Sequence, residues 1–170
     1  MAGAPTPPLW IAAHEAGHAV ALLALGGNIR QPLTSVRVYP YRGDPLWPYP
    51  WNGNTKGRLT GYKSAVVALS GPIAEYRVRR WKRGSIDDLL GADHMHATDD
   101  LLEAASEGEI ADFNAASERA FREARRIVNR NWLAVRAVAR EVQLHRWLTA
   151  RRALQAIEDA GLPHPMDRMH

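Results

Sequence analysis

Apolar residues dominate the first part of the chain in a pattern that predicts a helix. The stretch PLWIAAHEAGHAVALLALGG is rich in Ala and Leu, lacks an internal Pro and ends at Gly26 and Gly27, which favour a helix stop. The next stretch, SVRVYPY (35–41), alternates apolar and polar residues and predicts a short strand. Residues 42–57 are rich in Pro, Trp, Gly and Asn and predict a loop, and GRLTGYK (57–63) predicts a second short strand or an extended edge.

The rest of the chain has mostly helical patterns. SAVVALSGPIAEYRVRRW (64–81) is apolar all round in its first half and predicts a buried helix, which Pro72 would kink or restart. Residues 84–100 predict a polar turn region with a short helical piece. Four further helices are predicted at 98–107, 110–129, 131–143 and 149–160. These patterns predict a mainly α (α+β) fold, with a small β element near the first helix and a C-terminal helical bundle.

Length and composition narrow the class of protein. At 170 residues the chain suits a single domain, and it contains no cysteine, so disulfides and thiolate metal sites are excluded. The N-terminus does not resemble a signal peptide, and the longest apolar stretch, 19–25, is far shorter than a membrane helix requires. We therefore expect a cytoplasmic protein that is neither inserted into a membrane nor bound to one.

The positive charge is concentrated late in the chain. The formal net charge is +4, and arginines recur at helical spacing between Arg119 and Arg152. A solvated face of an amphipathic helix explains this pattern most simply. A surface for nucleic acid or an acidic protein is the alternative interpretation. Trp132 and Trp147 are candidates for core contacts, for contacts in a homo-oligomer or for stacking on bases.

The segment HEAGH (14–18) carries the candidate chemistry. Residues four apart on a helix share one face, so His14 and His18 can both place a ring nitrogen on one metal ion. Glu15 then lies where its carboxylate can reach a water molecule on that metal and act as general base. The alternative interpretation is an ordinary helix with two surface histidines. A His-Glu-His set inside an apolar helix would be costly without a partner, which favours the metal site.

The third ligand has several candidates around residue 95. They are Asp93, His94, His96, Asp99 and Asp100. A carboxylate at a helix N-terminus is favoured by the helix dipole, although an aspartate there can also be only a cap.

Several stretches together resemble the FtsH peptidases (peptidase family M41), the zinc protease part of a membrane-anchored ATP-dependent protease. AAHEAGHAVALLALGG resembles the family's zinc helix, VVALSGPIAEYRV its second helix, and GADHMHATDDLLEAA its ligand segment. RAFREARRIVNRNWLAVRAVAREVQLHRWLTARRALQAI resembles its C-terminal helical pair. The resemblance covers roughly residues 10–158, but the ATPase module, its phosphate loop and the membrane anchor are missing from this sequence.

The resemblance implies a zincin-like domain and assigns roles to individual residues. It implies that His14, His18 and Asp100 bind one zinc ion and that Glu15 is the general base; Asp99 is one residue out of register. Glu75 follows on the second helix and could orient a zinc histidine or pair with Arg79. The implied layout is a flexible N-terminus (1–9), the zinc helix, strands and second helix (10–97), a helical part bringing the third ligand (98–160), and a tail (161–170).

The resemblance implies a zinc metalloendopeptidase. Because the ATPase module is missing from this sequence, we expect hydrolysis that is independent of ATP and limited to flexible or unfolded protein segments. In zincin-type peptidases an edge strand beside the metal helix commonly binds the substrate, and SVRVYPY or GRLTGYK could do so here. Two alternatives remain open. One is a metallopeptidase specific for a single regulatory protein, and the other is a degenerate peptidase fold that binds nucleic acid or protein through the Arg119–Arg152 face.

Overall fold

The computed structural model describes residues 6–26, 32–40, 51–79 and 87–169. The helices of these residues are α1 (Leu9–Leu25), α2 (Gly61–Arg79), α3 (Asp87–Ser106), α4 (Phe113–Arg130), α5 (Trp132–His145) and α6 (Ala150–Asp159), and the strands are β1 (Leu33–Pro40), β2 (Trp51–Gly57) and β3 (Trp147–Thr149). A short 3-10 helix follows at Pro165–Arg168. The described chain is thus mainly helical with a small sheet, as the sequence predicts.

The three strands form one antiparallel sheet in the order β2-β1-β3. Val38 of β1 pairs with Gly53 of β2, and Val36 pairs with Leu148 of β3. Val36, Val38 and Leu148 are buried, because alternate residues of a strand point to the same face and that face packs on the helices. β1 is therefore the central strand, and β2 lies at an end of the sheet.

Helix α1 is the centre of the core and is buried almost all round. It packs most closely against α2, where Gly17 faces the backbone of the neighbouring helix. A Cβ atom added at Gly17 would lie 2.6 Å from the Ser70 carbonyl oxygen and 2.8 Å from Cβ of Ala74. A side chain at position 17 would therefore push the two helices apart.

Helices α4 and α5 each bury one stripe of small and branched residues. Asp112 caps α4 by accepting a hydrogen bond from the Ala115 N–H, which satisfies a donor of the first turn. Ala120 and Val128 of α4 are fully buried while Arg122 and Arg126 are exposed. This arrangement matches the amphipathic pattern from which the helices were predicted.

The first helix, the strand at 35–41 and the last three predicted helices are confirmed within a few residues. The loop prediction is wrong at Trp51–Gly57, which forms β2. The short strand or extended edge predicted at 57–63 is wrong as well, because β2 ends at Gly57 and α2 begins at Gly61. Helix α2 also continues through Pro72 instead of restarting there. Residues 41–50 of the predicted loop lie outside the described residues.

The polar turn region with a short helical piece predicted at 84–100 is wrong from residue 87 onward, because α3 (Asp87–Ser106) occupies it, and the helix predicted at 98–107 is confirmed as the last part of α3. That helix contains one non-helical residue, Gly91, with φ 35° and ψ −127°. Gly is suited to this conformation because it lacks a Cβ atom. Strand β3 and the 3-10 helix were not predicted, since each is too short to give a periodic pattern.

Among the described residues no helix is both long and apolar enough to cross a membrane.

Candidate metal centre

Helix α1 places His14 and His18 side by side, one turn apart. Their ring centroids lie 4.8 Å apart with the rings nearly perpendicular. Both side chains are largely buried, and both line one cleft. The spacing within HEAGH therefore brings two imidazoles together, as the sequence predicts.

The third member of the cluster is Asp93 of α3. One carboxylate oxygen lies 3.0 Å from Nε2 of His14, and the other lies 3.6 Å from Nε2 of His18. One ligand atom from each of these residues lies within 4.8 Å of the others. The cluster thus offers two nitrogen atoms and one oxygen atom to a single point.

The backbone break at Gly91 explains why Asp93 is in this position. Because Gly91 is non-helical, the helix starts again just before Asp93. Asp93 therefore lies in the first turn after a break, where the exposed N–H groups of the helix favour a negative charge. The signal in the sequence was the Gly-Ala-Asp order, with a helix-breaking residue two positions before an acid.

The other ring nitrogen of each histidine is held by helix α2. Nδ1 of His14 lies 2.8 Å from Oε2 of Glu75, and Nδ1 of His18 lies 2.8 Å from the carbonyl oxygen of Val67. Both partners are acceptors, so each Nδ1 carries the hydrogen and donates it. For a metal ion to bind, each ring must be neutral with its lone pair on Nε2, which faces Asp93. When no metal ion is bound, Nε2 of His14 instead carries a hydrogen and donates it to Asp93.

Glu75 is buried and uses both of its carboxylate oxygens. Oε2 accepts from His14, while Oε1 lies 2.8 Å from Nη2 of Arg79. The Arg79 guanidinium also stacks 3.9 Å from the ring centroid of Trp10. The two roles considered for Glu75, orienting a histidine and pairing with Arg79, are therefore both present.

Glu15, the predicted general base, is buried beside the two histidines and contacts strand β2. The Thr55 hydroxyl lies 2.7 Å from Oε2 of Glu15 and 3.0 Å from its backbone oxygen. A Cβ atom at Gly53 would collide with the Glu15 carboxylate. Strand β2 therefore fixes where this carboxylate points.

The charges of the cluster shift two pKa values. Burial alone would lower the pKa of His14, but hydrogen bonds to Asp93 and Glu75 and the nearby charge of Glu15 raise it to about 10. Burial would raise the pKa of Asp93, but the hydrogen bond from His14 and the charge of His18 hold it below its usual value. The carboxylates of the cluster thus favour a positive charge at its centre.

The cluster opens into a cleft of about 690 Å³. Helices α1, α2 and α3 line it together with the residues Trp51–Thr55 of β2. Gly71 of α2 is part of this arrangement, because a Cβ atom there would collide with Nε2 of His18. Glu15 and the three residues of the cluster therefore line one common cleft.

Asp100, the predicted third ligand, is not in the cluster; Asp93 stands there instead. Asp100 lies about two turns, roughly 10 Å, further along α3. It lines the same cleft, and burial raises its pKa against the lowering effect of a hydrogen bond from Ser64. His96 and Asp99 also line the cleft, whereas none of Asp99, Asp100, His94 and His96 joins the group of described residues that could share a metal ion.

The donor set suits zinc. Two neutral imidazoles and one carboxylate leave a fourth position open, which is the arrangement of catalytic zinc sites. Ligands of a tetrahedral zinc ion lie roughly 3.3 Å from one another, given bonds of ~2.0–2.1 Å. Nε2 of His14 lies 3.0 Å from one oxygen of Asp93 and Nε2 of His18 lies 3.6 Å from the other, both close to that value, and the three ligand atoms all lie within 4.8 Å of one another.

Comparison with known proteins adds no assignment: the chain matches no protein-family model and no curated protein.

Proposed function

We propose that this protein is a zinc-dependent endopeptidase with His14, His18 and Asp93 as metal ligands and Glu15 as general base. The observation that carries the proposal is the meeting of three ligand atoms within 4.8 Å in a cleft that also contains Glu15. The proposal keeps the zinc and the two histidines predicted from the sequence and replaces Asp100 with Asp93. The fold proposed for it is zincin-like, as in the FtsH peptidases that the sequence resembles.

Each residue has a distinct role in this proposal. A bound zinc ion would supply an acidified water molecule and polarise the peptide carbonyl. Glu15 accepts the proton of the attacking water and delivers it to the leaving amine. Thr55 holds the Glu15 carboxylate in place, and Glu75 fixes the tautomer of His14.

Strand β2 is the proposed binding site for the substrate backbone. It lies at an end of the sheet, and its residues Trp51–Thr55 line the cleft beside Glu15. An extended peptide can add to such an edge by main-chain hydrogen bonds. β1, one of the two strands considered from the sequence, lies between β2 and β3 and cannot take this role along its length.

Extended peptides are the proposed substrate class because strand addition requires an unfolded segment. Hydrolysis would be independent of ATP, and flexible or unfolded protein segments would be cut; a single regulatory protein is the narrower alternative. A cytoplasmic location is also proposed, which the absence of cysteine suits.

The test compares the native chain with Glu15→Gln. Metal content is measured by mass spectrometry after zinc is supplied, and cleavage is measured on unfolded casein and on a random peptide library. We expect both chains to hold roughly one zinc ion, as a single four-coordinate site requires. We expect the variant to cleave roughly 10²- to 10⁴-fold more slowly, because it lacks the general base.

The other outcomes contradict parts of the proposal. If the native chain holds zinc and cleaves neither casein nor any library peptide, cleavage of unfolded segments in general is wrong, the metal site stands, and the narrower alternative of a single regulatory protein replaces the proposal. If the native chain binds no zinc, the metal site itself is wrong. If Glu15→Gln cleaves as fast as the native chain, another residue is the base.

A further inference from the structure

A second cleft contains three arginines and is lined by residues of helix α1 that do not line the first cleft. Its volume is about 480 Å³. It lies between the start of α1, the end of α2 and the middle of α5. The residues that line it, here called the arginine cleft, are Leu9, Ala13, Arg77, Val78, Trp132, Arg136, Ala139 and Arg140.

The charge of the arginine cleft is not balanced by acids. Among the residues that the structure describes, no carboxylate lines the cleft and no ion pair involves Arg77, Arg136 or Arg140. The acid of α5, Glu141, is engaged elsewhere, by Arg152. Three guanidinium groups around one cavity without a counter-charge attract an anion.

The Arg77 side chain of the arginine cleft is held in place by two contacts. The Arg77 guanidinium stacks 4.4 Å from the ring centroid of Trp132 and donates a hydrogen bond to Oδ1 of Asn129. Arg136 and Arg140 are exposed, and they are four residues apart on α5, so they project from the same face. An arginine that is fixed before binding loses less conformational entropy when the ligand arrives.

The lining between the arginines is apolar. Ala13, Val78 and Ala139 form part of the wall, and Leu9 is 44% exposed beside them. An acidic peptide with apolar side chains complements this mixture, because its carboxylates can meet the guanidinium groups while its apolar side chains cover the wall.

A nucleic acid fits the arginine cleft less well. Binding of single strands relies on bases that stack on open aromatic faces, and here the guanidinium of Arg77 covers the Trp132 ring. The arginines of α4 do not provide a continuous positive surface for a nucleic acid either. Arg122 forms an ion pair with Glu118, and Arg126 forms one with Glu123.

We propose that the arginine cleft binds an acidic, partly apolar peptide segment of a partner protein. The site goes beyond the proposed peptidase function and needs no metal. Ala13 of its wall directly precedes His14, so a partner bound here lies within one helix diameter of the candidate metal centre. A protein anchored in the arginine cleft can therefore reach the other cleft with a neighbouring segment.

The test measures binding by fluorescence anisotropy on the full chain. The probes are a short labelled peptide of alternating Glu and Leu, a Lys-Leu peptide of the same length, and a labelled single-stranded oligonucleotide. The variant is Arg136→Gln/Arg140→Gln. Its matched control is Arg122→Gln/Arg126→Gln, which removes the same charge at the same helical spacing outside the cleft. Circular dichroism melting verifies that both variants fold, and Glu15→Gln in every chain prevents cleavage.

We expect the Glu-Leu peptide to bind and the Lys-Leu peptide not to bind. The Arg136→Gln/Arg140→Gln variant should lose roughly tenfold or more in affinity, and raising the salt should weaken binding. The affinity of the control should stay within about twofold of the native value, because neither Arg122 nor Arg126 lines the cleft and screening weakens their effect at a distance. Equal losses in the two variants would show a diffuse charge effect and overturn the proposal. Absence of acidic peptide binding would overturn it as well, and tighter binding of the oligonucleotide at the same arginines would assign the cleft to nucleic acid instead.

Discussion

Nδ1 of His14 on α1 lies 2.8 Å from Oε2 of Glu75 on α2, and the other oxygen of Glu75 lies 2.8 Å from Arg79. This contact connects the candidate metal centre to the helix that packs against it. The carboxylate holds a hydrogen on Nδ1, so Nε2 is the ring atom that a metal ion would use. Arg79 in turn prevents the carboxylate from turning away.

Replacing Glu75 should therefore weaken metal binding without removing a ligand. We expect Glu75→Gln to lower zinc affinity roughly 10- to 100-fold, measured by competition with a chromogenic chelator. Glu118→Gln is the control, because Glu118 is an exposed acid that pairs with Arg122 on α4. Unchanged zinc affinity in Glu75→Gln would mean that the hydrogen bond to His14 does not support the site.

The identity of the third ligand is tested by two matched substitutions on α3. Asp93→Asn removes the carboxylate that faces both histidines, whereas Asp100→Asn changes one that lies about two turns away. We expect Asp93→Asn to lose zinc under dialysis and Asp100→Asn to retain it, as measured by metal analysis. The reverse result would restore the assignment that the resemblance implies.

Gly71 and Gly17 should respond differently to the same added methyl group. At Gly71 the new Cβ would collide with Nε2 of His18, so we expect Gly71→Ala to lower zinc affinity by roughly tenfold or more. At Gly17 it would press on the backbone of α2, so Gly17→Ala should lower the free energy of unfolding by about 1–3 kcal/mol. Chelator competition and denaturant unfolding measure the two effects. If Gly17→Ala lowers the zinc affinity and Gly71→Ala does not, the roles assigned to these two glycines are wrong.

Thr55 gives a prediction for the general base. Thr55→Val keeps the shape of the side chain but removes the donor that contacts Glu15. We expect kcat to fall roughly tenfold with KM little changed, because one hydrogen bond to the carboxylate is lost. Thr55→Ser should restore most of the rate, and metal content should be the same in all three chains. Equal rates for Val and Ser would exclude a role for the hydroxyl.

Two neighbouring leucines of α3 test the packing of the fold. Leu101 is 2% exposed and Leu102 is 54% exposed. We expect Leu101→Ala to cost about 2–5 kcal/mol of unfolding free energy, because it leaves a cavity in the core. Leu102→Ala should change the stability by at most about 0.5 kcal/mol. Urea unfolding followed by circular dichroism measures both, and similar losses would place α3 differently on the core.

The sequence predicts the parts of the site that depend on local spacing. His14, Glu15 and His18 lie on one helix, so the helical period alone brings them together. Asp93 depends on how α3 packs beside α1 and on the break at Gly91. Several acids occur from residue 93 onward, and the one local signal that distinguishes Asp93 from the others is the glycine two residues before it.

Strand β2 was missed for a similar reason. WNGNTKG lacks the alternation of a half-buried strand, and its pairing with β1 comes from tertiary contacts that local propensity does not report. Its two contacts with Glu15 were therefore also beyond a sequence-based prediction. The sequence predicts that Glu75 contacts either a histidine of α1 or Arg79. It cannot predict both contacts together, because they depend on how the two carboxylate oxygens are oriented.

Because Asp93 lies on a different helix from His14 and His18, a metal ion bound by all three would also stabilise the folded chain. An ion held by these three residues would act as a cross-link between the beginning of the chain and its middle, and it would close a long loop of the unfolded chain. Binding to the folded form alone would add about 2.7 kcal/mol of stability at a free metal concentration of ~100 times Kd. Under the proposed function, the same ion would then determine both whether the protein can cleave others and how well it resists being cleaved.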